Sequence, residues 1–426
     1  MKRSKKFAGL SALALVGALT LAACGEDDDG GDENGAGGEQ TAEPQGDGTL
    51  TVGALLPQTG DLAFLGPPEF RGVELAIEDI NAAGGVLGQD VAYVKADSGD
   101  GTPDIAGAET DKLLNANSDV IVGAAASGVS ITVIDKITGA GVVHFSPANT
   151  AAGFDTDEVD PNKLYFRTSP SDFLQGEVMA NLVVEDGGQN VAIMGRQDFY
   201  GEGLAERTRD VLEEKGATVS EFILYNADAQ NFTAEVSQIS AAQPDSLVLI
   251  GFEETTKIIP ELIANGVGPQ DIQIYFVDGN LADYSDERFD LTGVKGTAPM
   301  PAEPDPEFTA RLKEDRTVKD LLYGPESYDA VIISALAAIA AENDSGEAIG
   351  AGIIDITREG TKCTTFEECA GLLEDGEDID YDGKSGPTDM TEFGSIAQGS
   401  YGISEYKNAG NVPEQIDTVS GVVPTE

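Results

Sequence analysis

The segment Asp119-Val-Ile-Val-Gly-Ala-Ala-Ala-Ser-Gly128 joins a short apolar run to a Gly/Ala/Ser turn that opens a helix predicted over Val129–Ile137. β-Branched residues favour strands, and a continuous apolar run indicates a strand buried on both faces. A second such run, Gly141-Val-Val-His-Phe145, follows the helix. This strand–helix–strand unit predicts a parallel sheet covered by helices on both sides.

Strands and helices alternate outward from this unit in both directions. Upstream we predict strands at Leu50–Leu56 and Val91–Lys95, with helices over Glu69–Ala82 and near Asp104–Asn115. The alternation restarts after Ser169, where the predicted strands are Asn190–Met194, Glu221–Tyr225, Ser246–Ile250 and Ile272–Val277. Two successive α/β units predict an α/β fold of two lobes, each a doubly wound parallel sheet, with the strand ends facing a shared cleft.

Two breaks interrupt the alternation. Tyr165–Pro170 is predicted to cross between the units, and Gly296–Pro306 contains four prolines that prevent regular structure. Beyond them we predict helices at Glu307–Lys313 and Ser327–Glu342, then a poorly periodic acidic stretch. A last strand-like pair is expected around Thr388–Glu405.

The N-terminus has the composition of an export signal. Four basic residues precede an uncharged, mostly apolar run that is short for a membrane-spanning helix. The run ends in Leu21-Ala-Ala-Cys-Gly25, which resembles a bacterial lipobox. We therefore predict a lipoprotein signal peptide over residues 1–23 and a lipid on Cys24 that anchors the protein to the outer face of the cell membrane. The alternative is an ordinary signal peptide with a stray cysteine.

Acidic residues dominate the composition. The 426 residues include 25 Lys+Arg and 76 Asp+Glu, for a net charge of -51. Such a surface repels phosphate backbones, so we predict no nucleic-acid partner. Residues 24–48 are acidic and Gly-rich and have almost no large apolar side chain, which predicts a disordered tether. The signal carries four of the basic residues and the tether nine of the acidic ones, so the remaining body keeps -46.

The remaining cysteines predict a disulfide bond. With Cys24 lipidated, Cys363 and Cys369 are left in an exported chain, close together in sequence. A metal site would need further ligands, and the one histidine, His144, lies in an apolar strand where a core position is expected. A serine hydrolase would need that imidazole as its base, so we predict no catalysis through His144.

Two loops at predicted strand ends are suited to an anion. The loop containing Ser127 opens a helix, and Ser146-Pro-Ala-Asn-Thr150 follows the next strand. Amides at a helix N-terminus lack intrahelical partners and lie at the positive end of the helix dipole, so they attract a carboxylate or a phosphate. The alternative is that Ser127 only caps its helix and Thr150 only forms a turn.

These loops belong to an ordered set of motifs that resembles the leucine/isoleucine/valine-type substrate-binding proteins of bacterial ABC transporters. The resemblance runs from about Thr49 to the C-terminus, and its motifs are Pro57-Gln-Thr-Gly60, Gly66, Phe70-Arg-Gly72, Ala82-Ala-Gly-Gly85, the Ser127 loop, Ser146-Pro-Ala-Asn-Thr150, Phe199-Tyr-Gly-Glu-Gly203, Gly293-Val-Lys-Gly296 and Tyr328-Asp-Ala330. It implies a type I periplasmic-binding-protein fold, whose two lobes are joined by three hinge crossings and close on a ligand. We expect lobe 1 to comprise residues 49–168 and 300–390, and lobe 2 to comprise residues 169–299 and 391–426.

The resemblance also implies how an amino acid would be held. It places the contacts to the α-carboxylate on Ser127, Ala148 and Thr150, with Tyr200 beside them. The contact to the α-ammonium falls on Asp278, where the family usually has glutamate. A zwitterion is costly to desolvate unless both of its charges meet partners, and this set supplies a partner for each.

Further positions shape the apolar end of the implied ligand site. Phe252 stands where the family often has an aromatic residue with a hydroxyl group. Phe64 and Leu65 match a loop whose large side chain covers the ligand, and the family often has an aromatic ring where Leu65 stands. The resemblance therefore implies a roomier side-chain pocket than that of a leucine binder.

Two other motifs suggest cofactors. Gly383-Lys-Ser385 ends like a phosphate-binding loop, but Asp378 occupies the position that requires glycine. The acidic spacing from Asp378 to Asp389 matches a calcium loop except for its last ligand, and Pro387 stiffens it. We predict no cofactor and no metal, with calcium at this loop as the alternative.

These observations lead to one functional expectation. We expect an exported, lipid-anchored, monomeric solute-binding protein that captures a small amino acid, branched-chain in type, by hinge closure. It would deliver this ligand to the permease subunits of an ABC importer that has a separate ATPase. As a binding protein it would catalyse no reaction, so we predict that it is not an enzyme. The alternative ligand is another small molecule such as an amide, a urea derivative or an aromatic acid.

The charge of the body predicts stabilisation by salt. At 1 M salt the Debye length falls to about 3 Å, which screens the repulsion among the excess carboxylates. We expect the melting temperature to rise as KCl is increased, measured by thermal unfolding of the mature protein. A melting temperature that stays constant or falls as KCl is added would indicate that the acidity reflects composition bias.

Overall fold

The architecture is that of a computed structural model, which describes residues 46–101, 104–156 and 158–424. The predicted signal peptide, Cys24 and the tether as far as residue 45 lie outside the described residues. The backbone N–H groups of Gly46 and Gly48 donate to Asn343 Oδ1 (3.1 Å) and Asp344 Oδ2 (2.8 Å). In the described ranges, no helix combines the length and apolar character needed to cross a membrane.

The first sheet has five strands, which are parallel and lie in the order β2-β1-β3-β4-β5. Their bounds are β1 (Thr51–Leu56), β2 (Ala92–Asp97), β3 (Val120–Gly123), β4 (Val143–Ser146) and β5 (Tyr165–Arg167). The helices between them are α1 (Gly66–Ala82), α2 (Ala106–Asn115) and α3 (Ser127–Thr138). The central strands β1 and β3 are buried along their whole length, as their continuous apolar sequences predict.

The second sheet begins with five further strands, separated by helices. The strands are β6 (Asn190–Arg196), β7 (Thr218–Tyr225), β8 (Ser246–Ile250), β9 (Gln273–Phe276) and β10 (Lys295–Pro299). The helices are α4 (Asp172–Glu185), α5 (Gly201–Glu214), α6 (Thr233–Ala242) and α7 (Thr255–Ala264). All pairings among β6 to β10 are parallel.

The chain then returns to the first lobe before ending in the second sheet. The returning elements are α8 (Pro306–Leu312), α9 (Gly324–Ala340), α10 (Gly346–Ile353), β11 (Thr361–Cys363), α11 (Phe366–Glu374) and β12 (Ile379–Tyr381). The last two strands, β13 (Gln398–Glu405) and β14 (Glu414–Val422), are antiparallel and complete the second sheet as β14-β13-β10-β9-β8-β6-β7.

The predicted fold class is confirmed: two α/β lobes are built on mainly parallel sheets. The predicted terminal strand pair around Thr388–Glu405 was misplaced, since the pair is β13 with β14. No elements were predicted in the acidic stretch before it, but this stretch contains α10, β11, α11 and β12. Both differences have one cause: these elements are short or exposed and carry weak apolar periodicity.

Helix α9 forms the centre of the first lobe. All residues from Gly324 to Ala338 are buried, and the helix packs against α1. A Cβ atom at Gly72 of α1 would lie 2.2 Å from the carbonyl oxygen of Gly324, so glycine is required for this close approach. His144 lies in the same lobe with no exposed surface, and burial lowers its pKa to about 3, which fits the predicted core role.

The described chain passes between the sheets three times, after β5, after β10 and after β12. The fully buried Arg167 connects the first and third of these passages, since its Nε donates to Ser395 Oγ (2.7 Å). Its Nη2 forms an ion pair with Asp155 (2.7 Å), which compensates the buried charge. The passages predicted as hinges are therefore fastened to each other by one guanidinium.

Two buried carboxyl groups lie near the starts of α1 and α9. Glu69 has no exposed surface and Glu326 is 3% exposed. Burial raises the pKa of Glu69 well above its usual range, and the charge of Glu326 raises it further. Burial raises the pKa of Glu326 to about 8. In both cases burial favours the protonated form, which avoids an uncompensated charge in the core.

The predicted disulfide is present. Cys363 at the end of β11 and Cys369 in α11 are joined, with Cα atoms 5.4 Å apart and both side chains buried. The bond fixes a short strand to the helix that covers it.

Removal of the disulfide should destabilise the protein. Replacing both residues, Cys363→Ala with Cys369→Ala, should lower the free energy of unfolding by about 2 kcal/mol, because the loop closed by the bond is short. Urea denaturation measures this loss. Dithiothreitol should destabilise the wild type comparably and leave the double variant unchanged; an unaffected wild type would show that the bond does not stabilise the fold.

The buried Glu326 predicts a pH dependence of stability. Its folded-state pKa of about 8 lies above the ordinary value of 4.5, so the folded chain holds a proton that the unfolded chain has already released. The contribution of Glu326 to the free energy of unfolding is therefore greatest at low pH and decreases as pH rises towards 8. Between pH 6 and pH 8 this contribution decreases by about 2 kcal/mol. Chemical denaturation at several pH values should show a smaller decline in Glu326→Gln. Glu206→Gln, at an exposed position, should keep the wild-type slope; equal slopes in all three proteins would contradict the assignment.

Candidate functional site

A narrow cavity lies between the lobes, where the carboxyl ends of the strands of both sheets face each other. It has the position that open α/β sheets offer for ligands. Seven of the eight residues predicted to contact a ligand line it: Ser127, Ala148, Thr150, Tyr200, Phe252, Asp278 and Leu65. Leu62, Gly279 and Tyr323 also line it, and the sequence analysis missed them.

The wall from the first lobe is built by the loops after β3 and β4. Gly123 at the end of β3 has φ of +127°, and a Cβ atom there would lie 1.9 Å from Leu55 O, so only glycine permits this turn. Asn149 fastens the two loops together, since its Nδ2 donates to the carbonyl oxygens of Ala124 (3.0 Å) and Ala125 (2.8 Å). This arrangement holds the first turn of α3 and the Thr150 loop on one side of the cavity.

This wall is suited to an anion. Ser127 is the first residue of α3 and is 3% exposed, and Thr150 is 1% exposed. The first turn of a helix presents amides without helical partners and a positive dipole end. A buried anion placed here would meet amides and hydroxyl groups from both loops.

The opposite wall, from the second lobe, carries Asp278. This residue begins a short 3-10 turn directly after β9 and is 6% exposed. Its Oδ1 accepts hydrogen bonds from Gln175 Nε2 (2.8 Å) and the Tyr200 hydroxyl (2.7 Å). Its Oδ2 accepts one from the Tyr323 hydroxyl (2.7 Å).

Burial and hydrogen bonding act on Asp278 in opposite directions. Burial is the larger effect and raises the pKa of Asp278, whereas hydrogen bonds from Tyr323, Tyr200, Gln175 and the residue's own backbone N–H lower it by favouring the charged form. Asp278 also lines the cavity, on the wall opposite the Ser127 and Thr150 loops.

Tyr200 and Phe64 differ in their surroundings. Tyr200 lines the cavity and its hydroxyl donates to Asp278, and its place beside the ligand's carboxylate stays a prediction. Phe64 lies against a neighbouring crevice lined by acidic residues such as Asp61 and Glu253, and not against the cavity. The aromatic wall is formed instead by Phe252 and Tyr200, whose rings stack at 5.8 Å with 22° between their planes.

Gln175 and Tyr323 are the main residues that sequence analysis missed. Gln175 lies in the first turns of α4, and Tyr323 precedes α9 with φ of +60°. Neither follows a predicted strand, and Tyr323 reaches Asp278 across the cleft from the other lobe. No local sequence signal marks either residue, because each matters only through its hydrogen bond to Asp278.

The two cofactor-like motifs have structural explanations. Lys362 Nζ forms ion pairs with Asp380 (2.9 Å) and Asp382 (3.0 Å) in the candidate calcium loop. Ser385, in the phosphate-loop-like sequence, donates its N–H and hydroxyl to the buried Asp329. No group of three or more His, Cys, Asp or Glu residues suited to a metal ion occurs in the described part of the chain.

The chain is similar to several proteins that bind solutes. A family model described as periplasmic binding protein matches residues 49–363. The chemotactic signal transduction system substrate-binding protein BasB of Halobacterium salinarum is 26% identical over 366 residues, which cover 80% of this chain and 83% of the relative. The Leu/Ile/Val/Thr-binding protein of Salmonella typhimurium is 30% identical over 260 residues, 59% of this chain and 70% of the relative. Among solved structures, a solute binding protein of an ABC transporter from Rhodopseudomonas palustris HaA2, in complex with p-hydroxybenzoic acid, has a TM-score of 0.71 at 15% identity and covers 88% of this chain and 98% of its own.

Proposed function

This chain belongs to the periplasmic binding protein family, and on that premise we propose that it captures a small amino acid, branched-chain in type, between its lobes. The family consists of extracytoplasmic proteins that bind solutes for transport. One observation carries the choice of an amino acid: the buried Asp278 lines the cavity together with the Ser127 and Thr150 loops, which offer amides and hydroxyl groups. A zwitterion with an ammonium and a carboxylate on one carbon matches both walls.

The apolar part of the cavity supports a branched aliphatic side chain. Leu62, Leu65 and Phe252 are each at most 5% exposed and lie on the cavity wall. Burial of a leucine-sized side chain contributes about 1.5–3 kcal/mol. Discrimination by a single methylene is worth only about 1–3 kcal/mol, so valine, leucine and isoleucine should be distinguished only modestly. The Salmonella relative is a Leu/Ile/Val/Thr-binding protein, which supports the same class of ligand.

We propose hinge closure as the mechanism. The ammonium would bind the second lobe through Asp278, and the carboxylate would bind the first lobe through the Ser127 and Thr150 loops. A ligand held by both lobes favours the closed form by its differential contacts, and the permease of an ABC importer would recognise that form. Lipid anchoring through Cys24, a monomeric state and the absence of catalysis belong to the same proposal.

A second class of ligand has one supporting observation. The solute binding protein from Rhodopseudomonas palustris HaA2, which shares the fold, was crystallised with p-hydroxybenzoic acid. Such a ligand has a carboxylate for the first lobe but no ammonium for Asp278. It would therefore not use the buried acceptor that the second lobe provides.

Calorimetry with one substitution distinguishes amino acids from aromatic acids as the class of ligand. We expect heat and thermal stabilisation with leucine, isoleucine or valine, and Asp278→Asn should weaken their binding about 10- to 100-fold, because a charged hydrogen bond is lost. Asp283→Asn, at an exposed position five residues away, serves as the matched control and should bind as the wild type does. Asp278→Asn should leave the binding of p-hydroxybenzoic acid unaffected if that is the ligand.

The panel should contain all twenty amino acids, short amides and benzoates. No response to leucine, isoleucine or valine would overturn the branched-chain assignment. A response to an amide or to p-hydroxybenzoic acid that survives Asp278→Asn would establish the second class. Turnover of any bound ligand would contradict a pure binding role.

A further inference from the structure

We propose that Arg196 is a positioning residue that sets the selectivity of the cavity by holding the ring of Phe252 in place. This inference rests on the proposed function, because it concerns the wall that faces the ligand's side chain. Arg196 is the last residue of β6 and is 8% exposed. Its guanidinium carbon lies 3.4 Å from the centroid of the Phe252 ring.

The guanidinium is itself fixed by two carboxylates. Its Nε donates to Asp198 Oδ2 (2.5 Å), and its Nη1 donates to Glu254 Oε1 (3.1 Å). Glu254 is 2% exposed and also accepts a hydrogen bond from the Tyr225 hydroxyl (2.7 Å). A planar guanidinium can use its edge for carboxylates and its face for an aromatic ring at the same time, which an ammonium cannot do.

The same network orients the second ring of the wall. Asp198 Oδ1 accepts the backbone N–H groups of Tyr200 (3.1 Å) and Gly201 (2.8 Å) at the start of α5. Arg196 therefore acts on Phe252 directly and on Tyr200 through Asp198. These are the two stacked rings of the aromatic wall.

The Phe252 ring has little freedom to move. Arg196 covers one face, Tyr200 stacks near it, and a Cβ atom added to Gly279 would lie only 2.7 Å from Phe252 Cδ1. The ring is thus enclosed on three sides, and what remains of its surface forms part of the cavity. Loss of the guanidinium face would free the ring to tilt and would change the size of the side-chain end of the cavity.

A similar pair elsewhere in the same lobe provides a matched control. Arg209 lies over Phe222 at 4.8 Å, and neither residue lines the cavity. Arg209 is more exposed, with 31% of its side chain accessible. Substitution of Arg209 by lysine removes the contact between a guanidinium and an aromatic ring without changing a residue that lines the cavity.

The test compares Arg196→Lys with Arg209→Lys by calorimetry against L-leucine, L-isoleucine and L-valine. Arg196→Lys should weaken binding about 5- to 30-fold and change the leucine-to-valine affinity ratio at least about fivefold, whereas Arg209→Lys should change neither. In a Phe252→Leu background, Arg196→Lys should have no further effect on the ratio, because the ring through which it acts is gone. An unchanged ratio in Arg196→Lys, or the same change with and without Phe252, would overturn the proposal.

Two further measurements decide the proposal if Arg196→Lys does not fold or if the wild type does not bind the three amino acids. If Arg196→Lys does not fold, the pair Arg196→Met with Glu254→Gln removes the positive charge without leaving the buried Glu254 unpaired, and it should show the same ratio change. If the wild type binds none of the three amino acids, the proposed function has failed, and the inference is decided on the free protein. Fluorine-labelled phenylalanine should then show a shifted Phe252 resonance in Arg196→Lys and not in Arg209→Lys; an unshifted Phe252 resonance would overturn the proposal.

Discussion

The burial of the Asp278 carboxylate is the constraint on which the cleft depends. A charge with 6% exposure must be surrounded by donors, because it has lost most of its water. Its donors come from α4 through Gln175, from the residue before α5 through Tyr200, and from the residue before α9 through Tyr323. Helices α4 and α5 belong to the second lobe, whereas α9 fills the core of the first. The carboxylate is therefore fully satisfied only when the two lobes lie together.

This arrangement bears on the proposed hinge closure. The Tyr323 hydroxyl already joins the lobes through Asp278, so in that mechanism the ligand would not be the sole link between them. A ligand adds the difference between its contacts in the two forms. An ammonium at Asp278 together with a carboxylate at the Ser127 and Thr150 loops makes contacts in both lobes. A molecule with only one of these groups has less differential affinity and shifts the population less.

The local parts of this arrangement could be predicted from the sequence, and the parts that need long-range packing could not. Buried strands such as β3 and β8 carry continuous apolar runs, and the residues that follow β3, β4 and β9 reach the cleft because strand ends converge there. Strand β14 is mostly exposed, so its sequence has little apolar pattern. Tyr323 and Gln175 carried no local signal, since their importance arises only from the distance of each to Asp278. Ser127 and Thr150 were predicted from their loops at strand ends as well as from the resemblance, Asp278 was predicted from the resemblance, and Arg196 was not predicted.

The distribution of positive charge follows from the same physical argument. Among the described residues, Arg167 and Arg196 are the two buried cationic side chains. The exposed pairs elsewhere, such as Lys112 with Glu109, contribute little because water and salt screen them. A buried guanidinium requires carboxylate partners, and each of the two has them: Asp155 for Arg167, and Asp198 with Glu254 for Arg196. Arg167 lies where two passages between the sheets meet, and Arg196 lies behind the Phe252 ring of the cavity, so a strongly acidic chain places its buried positive charge at the points that the proposed closure and selectivity would depend on.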